Sequence, residues 1–200
     1  DYIKDKLHPE MILGIGTGST VNFFIEELGK YKNLFSGAVS SSDASSILLN
    51  EQGIEVFNLN DVMDIAFYID GADEVSPSNN LIKGGGGAHT REKIVASASN
   101  EFVCIVDNSK LVHVLGNFPL PVEVLIKSRS YVAREIVKIG GTPELRKDFL
   151  TDQGNQILDV KDLKIENPSL LEQRINLIPG VLDNGIFANC KPQKVIVGKD

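Results

Sequence analysis

Three short segments hold the residues whose types and spacing could do chemistry. They are Gly16-Thr17-Gly18-Ser19-Thr20, Asp70-Gly71-Ala72-Asp73-Glu74 and Lys83-Gly84-Gly85-Gly86-Gly87, the last running on to Thr90-Arg91-Glu92. In the first, glycines let backbone approach a ligand and hydroxyls add donors just as a helix begins, which suits an anion. The second sets paired carboxylates among small residues, fit to bind sugar hydroxyls, hold a metal or move protons. The third spends four glycines in a row, costly in entropy for a merely structural loop. With Lys83 on one side it reads as a cradle for a negative oxygen. Glu92 falls in the first turn of the next helix, where the dipole favours a carboxylate and burial would raise its pKa again, together poising a base.

These segments need elements that aim them at one place. Met11–Ile15 reads as a strand, Val21–Leu28 as a helix, Gly37–Ser40 as a strand and Ala44–Gln52 as a helix closed by Gly53. Ile54–Asn58, Ile65–Ile69 and Phe102–Val106 read as strands and Thr90–Ser99 as a helix. Such alternation predicts an α/β fold, a mostly parallel Rossmann-like sheet with helices on both faces. Ligands then bind beyond the carboxyl ends of the strands. Gly16–Thr20, Ser41-Ser42-Asp43, Asp70–Asp73 and Asp107–Lys110 all fall there. The spacing fails the dinucleotide G-x-G-x-x-G pattern and the Walker A pattern.

Gly116–Pro121 reads as a linker, with two prolines in three residues. Beyond it the order is strand Val122–Ile126, helix Tyr131–Ile139, strands Glu144–Arg146 and Gln156–Val160, helix Ser169–Ile175 and strand Val181–Ala188. That βαββαβ order predicts a small ferredoxin-like α+β domain. Lys194–Val197 returns to the first sheet. The expected division is 1–117 with 189–200 as the catalytic domain, and 118–188 as the small one. Charges in Glu166–Arg174 and Asp159–Asp162 read as a solvated helix face and a turn, and no catalytic cluster stands out in the small domain.

The chain of 200 residues is 42% apolar and carries a net charge of -7. It lacks the basic face of a nucleic-acid binder, and no stretch approaches the ~18 apolar residues of a membrane span. Cys104 and Cys190 form no zinc-type cluster, so buried reduced thiols in a cytoplasmic protein are expected. His8, His89 and His113 are scattered and read as surface or loop residues. The chain starts at Asp1 without a methionine, and a preceding segment is expected.

Gly16-Thr17-Gly18-Ser19-Thr20, Ser40–Ser45, Asp70-Gly71-Ala72-Asp73-Glu74 and Lys83-Gly84-Gly85-Gly86, together with Thr90-Arg91-Glu92-Lys93 and Phe118-Pro119-Leu120-Pro121-Val122-Glu123-Val124, resemble the ribose-5-phosphate isomerase A family in order and spacing over nearly the whole chain. The resemblance implies interconversion of ribose 5-phosphate and ribulose 5-phosphate in a likeness with no cofactor and no metal, acting on a small phosphosugar and assembling as a homo-oligomer, a dimer first. By position it implies Glu92 as general base. Asp70 and Asp73 would bind and open the sugar, and Lys83 would sit beside the reacting oxygens. Thr17, Gly18, Ser19 and Thr20 would bind substrate near the phosphate, with Gly71, Ala72, Gly84, Gly85 and Gly86 along the sugar and Lys110 as a phosphate-side lysine. The family also has an N-terminal stretch with another phosphate-side lysine, ahead of Asp1. His89 stands where the family often has an apolar residue and is given no role.

Two other readings fit parts of the pattern. A sugar-phosphate sensor would share the fold, since fold does not fix function, but would need a DNA-binding module. A metal-dependent hydride-shift isomerase would use Asp70, Asp73 and Glu74, but has no histidine at ligand spacing.

Overall fold

The computed structural model describes residues 2–198. Asp1, Lys199 and Asp200, which the domain division assigns to the first body, lie outside the described residues. In chain order the elements are β1 (Ile12–Ile15), α1 (Ser19–Gly29), β2 (Gly37–Ser40), α2 (Asp43–Glu51), β3 (Ile65–Asp70), β4 (Glu74–Val75), β5 (Leu81–Ile82), α3 (His89–Ser97) and β6 (Ser99–Asp107). Then come β7 (Leu120–Val124), α4 (Arg129–Lys138), β8 (Thr142–Leu145), β9 (Gln156–Lys161), α5 (Pro168–Asn176), β10 (Val181–Asn184), β11 (Ile186–Phe187) and β12 (Lys194–Gly198).

The central sheet has the order β12-β6-β3-β1-β2 and every pairing in it is parallel. Its inner strands are largely buried on both faces because helices cover both, while the edge strand β12 is half-buried. On one face Val21, Ile25 and Leu28 of α1, spaced as one helical stripe, pack with Leu49 of α2 on Leu13, Ile15, Phe67 and Ile69. On the other, Val95 and Ala96 of α3 pack on Tyr68, Phe102 and Cys104. The side-chain alternation of β3 thus divides Phe67 and Ile69 from Tyr68. Among the described residues no helix is long and apolar enough to cross a membrane.

A second, antiparallel sheet has the order β10-β7-β9-β8, with α4 and α5 as its crossovers and its own apolar cluster. Counted within that segment the strand order is 4-1-3-2, the arrangement of a ferredoxin-like unit.

Several elements depart from the sequence expectation. Ile54–Asn58 is not a strand: only Val56 makes a bridge, to Ala38. The linker Gly116–Pro121 ends inside β7, and its start is pinned by Gly116 N–H and Phe118 N–H donating to the buried Glu74 carboxylate at 2.7 and 2.5 Å. Val181–Ala188 is two strands. A side chain at Gly185 would meet the Lys83 carbonyl at 2.2 Å, so the chain turns there between sheets. β11 then pairs with β5, which also pairs with β4, in a three-stranded sheet absent from the expected topology. Residues 186–187 therefore tie the second unit directly to the strand that leads into Lys83.

Candidate active site

β1, β2, β3 and β6 run parallel, so their carboxyl ends bring the expected loops to one sheet edge. There a cleft of about 130 Å³ is lined by Thr17, Gly18, Ser19, Thr20, Gly71, Ala72, Asp73, Lys83, Gly84, Gly85, Gly86, Glu92 and Lys110. Larger hollows of about 400–510 Å³ lie under Phe57 and Ile94, beside Leu111 and Val197, beside Lys93 and Asp183, and beside Arg146 and Asp148, but none of them joins more than one of the strand-end loops.

Each wall has a local cause. Gly18 precedes α1 with φ +118°, a conformation that glycine adopts without strain. The first-turn N–H groups of α1 lie beyond it, beside the hydroxyls of Ser19 and Thr20. Thr17 is held from behind by Ser41, hydroxyl to hydroxyl at 3.0 Å, and Ser45 Oγ donates to the Gly16 carbonyl at 2.7 Å. The Ser41-Ser42-Asp43 turn thus buttresses the first loop, with Ser42 capping α2 through the Ser45 N–H.

The four consecutive glycines answer different demands. A Cβ at Gly84 (φ +102°) would lie 2.7 Å from the His89 ring, and one at Gly87 (φ +80°) 2.2 Å from the Phe149 ring. At Gly85 it would meet the Asp73 carboxylate at 2.7 Å. Gly86 has room, facing Thr17 Cγ2 at 3.9 Å, so a side chain there would enter the cleft.

Lys83 is the centre of the charge arrangement. Its Nζ lies 2.8 Å from Asp70 Oδ2 and 3.1 Å from Glu92 Oε2, and it donates to the Gly71 carbonyl at 2.7 Å. All three side chains are at most 4% exposed. Burial pulls the ammonium towards neutrality, but the carboxylates of Asp70 and Glu92 outweigh it and hold the Lys83 pKa above its ordinary value. Glu92 is pushed up to about 8, first by burial and then by the Asp70 charge, with Lys83 opposing. Its Oε2 touches Lys83 as an ion contact only and has no hydrogen-bond partner among the described residues.

Asp70 is placed one layer behind the wall, unlike the rest of the expected set. It is fully buried. Oδ1 accepts from Thr17 N–H at 3.1 Å and Gly71 N–H at 2.7 Å, and Oδ2 accepts from Tyr68 Oη at 2.5 Å beside Lys83. Tyr68 is kept a donor because burial and then the Asp70 charge raise its pKa well above the usual value. Asp73, by contrast, faces the cleft and accepts from Gly85 N–H at 2.8 Å.

The histidine expectation needs one correction. His89 is fully buried at the start of α3, and burial, then the Lys93 charge, pulls its pKa down to about 3. The charges of the second unit need two more. Glu172 is buried and pairs with Lys93 at 2.9 Å, and Asp159 lies in β9 and binds Arg146 rather than standing in a turn. Tyr68 was legible only as a residue two before Asp70 on the same strand face. Among the described residues no group of three or more His, Cys, Asp or Glu is arranged to hold a metal.

A parallel sheet whose strand ends meet a helix N-terminus, with a buried carboxylate–lysine pair on the cleft wall, has the architecture of an α/β enzyme with a cleft suited to a small anionic molecule. The family model described as ribose 5-phosphate isomerase A (phosphoriboisomerase A) matches residues 37–200. A ribose-5-phosphate isomerase A of Legionella pneumophila is 54% identical over 196 residues, 98% of this chain and 89% of the relative. The crystal structure of ribose 5 phosphate isomerase A from Neisseria gonorrhoeae superposes with a TM-score of 0.96 at 52% identity, over 100% of this chain and 89% of that one. A D-ribose-5-phosphate isomerase solved in complex with phospho-erythronic acid gives 0.91 at 38% identity, over 98% and 90%. The chain belongs to the ribose 5-phosphate isomerase A family.

Proposed function

We propose that the chain interconverts D-ribose 5-phosphate and D-ribulose 5-phosphate through an enediolate, with Glu92 as the general base. The observation that carries this is the Glu92 carboxylate itself: buried, on the cleft wall, and contacted among the described side chains by the Lys83 ammonium alone, at 3.1 Å. A carboxylate on the cleft wall with a raised pKa is what a proton carrier between neighbouring carbons needs.

In the opened aldose, Glu92 takes the proton from C2. The released electron pair forms the C1–C2 double bond and O1 becomes negative. A proton moves from O2 to O1, and Glu92 returns its own proton to C1 as the C2 carbonyl forms. Lys83 and the glycine-loop N–H groups stabilise the negative oxygen. Asp73 moves the proton needed for ring opening, since it faces the cleft. Asp70 keeps Lys83 charged and joins the first two loops through Thr17 and Gly71. Phosphate rests on the α1 N-terminus with Ser19, Thr20 and Lys110. The phospho-erythronic acid bound by a relative is a phosphorylated four-carbon sugar acid whose carboxylate carries the extra negative charge that an enediolate would, in support of this reading.

The same reading places the protein in the non-oxidative interconversion of pentose phosphates in the cytoplasm, in keeping with its free Cys104 and Cys190. It makes the protein a homodimer, for which exposed Phe23 and Ile94 offer apolar surface. It divides the chain into 1–117 with 189–200 and 118–188, supported by apolar clusters drawn mainly from each part, with Ile82 and Leu115 joining the second and Phe187 the first. The test is ketose formation from ribose 5-phosphate by the purified chain in the presence of a chelator. Conversion is expected, and a folded protein that forms no ketose refutes the proposal.

A further inference from the structure

Arg146 follows β8 in the second unit, and its guanidinium ends on the backbone of the glycine loop. Nη1 donates to the Gly84 carbonyl at 3.2 Å and to the Gly85 carbonyl at 3.1 Å. Nε and Nη2 grip the Asp159 carboxylate at 2.9 and 2.5 Å. The Phe149 ring lies 5.3 Å from the guanidinium carbon, the same ring that leaves no room for a side chain at Gly87.

Together with Gly87 N–H, which donates to the same Gly84 carbonyl at 2.9 Å, these contacts fix which way the loop amides point. A trans peptide is planar, and its C=O and N–H face opposite ways. No peptide bond among the described residues is cis. The Gly84 carbonyl faces Arg146, so the Gly85 N–H faces away, and it reaches Asp73 Oδ2 on the cleft side at 2.8 Å. The Gly85 carbonyl is held the same way, which turns the Gly86 N–H towards the cleft. Among the described residues that N–H has no partner, and Gly86 lines the cleft opposite Thr17.

We propose that Arg146 is a positioning residue of the isomerisation: by holding the Gly84 and Gly85 carbonyls it presents the Gly86 N–H to the negative oxygen of the enediolate. The inference rests on the isomerase reading above. A donor fixed in place before charge develops stabilises the intermediate without reorganising. Arginine suits the task because its planar fork grips a carboxylate on one edge and leaves another N–H group for the carbonyls. Asp159 holds the fork in register.

The test compares wild type, Arg146→Gln and Asp159→Asn as full chains. Each is assayed for kcat and KM on ribose 5-phosphate and for Kd of two probes. Phospho-erythronic acid carries a carboxylate where the reacting oxygens lie, and ribitol 5-phosphate carries a neutral hydroxyl there. In Arg146→Gln, kcat and the phospho-erythronic acid affinity are expected to fall on the order of tenfold or more, while KM and the ribitol 5-phosphate affinity stay within about twofold. Asp159→Asn is expected to show the same split at about threefold or more. A folded Arg146→Gln with wild-type kcat, or with equal losses for both probes, overturns the proposal. If Arg146→Gln does not fold, Asp159→Asn decides by the same criterion. A wild type that forms no ketose refutes the isomerase reading and this proposal with it, whereas an active wild type with unaffected variants refutes the role of Arg146 alone.

Discussion

Lys83 and Glu92 face each other at 3.1 Å, both sealed from solvent, and Lys83 is shared with Asp70 at 2.8 Å. One ammonium therefore serves two carboxylates. Burial raises the cost of every charge here, and the two carboxylates repel. Glu92 bears the consequence, because Asp70 is satisfied by Thr17, Gly71 and Tyr68 while Glu92 Oε2 is not.

Glu92 must be ionised to take a proton. With its pKa pushed up to about 8, kcat/KM is expected to climb with pH up to that point and level off above it. Below the midpoint the slope is about tenfold per pH unit. A pH–rate profile from pH 6 to 10 checks this, and a plateau already reached at pH 6 contradicts it.

The same group leaves a mark on stability. In the unfolded chain Glu92 ionises near 4.5, whereas the fold keeps its proton until about 8. The folded state binds more protons between those values, so this contribution is full below 4.5, falls as pH rises towards 8 and falls no further above it. Glu92→Gln has no such slope. Between pH 5 and pH 9, its unfolding free energy is expected to gain on wild type by at least about 1 kcal/mol in denaturant titrations.

Asp70 and Asp73 are expected to separate by readout. Asp70→Asn removes a charge that raises the Glu92 pKa, so the midpoint of the pH–rate profile should move down by about one unit. Asp73, a weaker cause of the same rise, should move that midpoint less when changed to Asn and lower kcat/KM by about 10²-fold, the scale of a lost proton-transfer group. Identical profiles for the two variants would remove the distinction between them.

The glycines offer a test by size. Gly87→Ala puts a methyl 2.2 Å from Phe149 at a positive φ, and should destabilise the fold by about 1–3 kcal/mol. Gly86→Ala has room, and should melt like wild type while raising KM by roughly tenfold as its methyl enters the cleft. Thermal melts and steady-state kinetics on the pair distinguish the two effects.

The three loops were legible in the sequence because each combines residue types that a ligand site would use: hydroxyls after glycines at a helix start, acids after a buried strand, four glycines together. Helix periodicity and apolar strands carried the parallel sheet for the same local reason. What stayed hidden depends on tertiary neighbours. Asp70 and Asp73 share one motif, and only packing puts the first under Lys83 and leaves the second on the cleft. Ile54–Asn58 has strand-like composition, but beside β2 it makes a single bridge through Val56. Asn184-Gly185, a turn signal, breaks the strand expected over Val181–Ala188, but that the Lys83 carbonyl leaves no room for a side chain at Gly185 depends on a tertiary neighbour. Arg146 and Asp159 look like ordinary charges until β8 and β9 pair and point them at the glycine loop.

The most direct measurement follows deuterium from solvent in Glu92→Gln. Wild type and variant are incubated with ribose 5-phosphate in D2O, and ketose formation and deuterium at C1 are read by NMR, with phospho-erythronic acid binding as the control for an intact cleft. Wild type is expected to form ketose with deuterium at C1. The variant is expected to bind phospho-erythronic acid but to lose both ketose formation and exchange by about 10²-fold or more. A variant that still forms ketose at a rate near wild type would show that another group carries the proton.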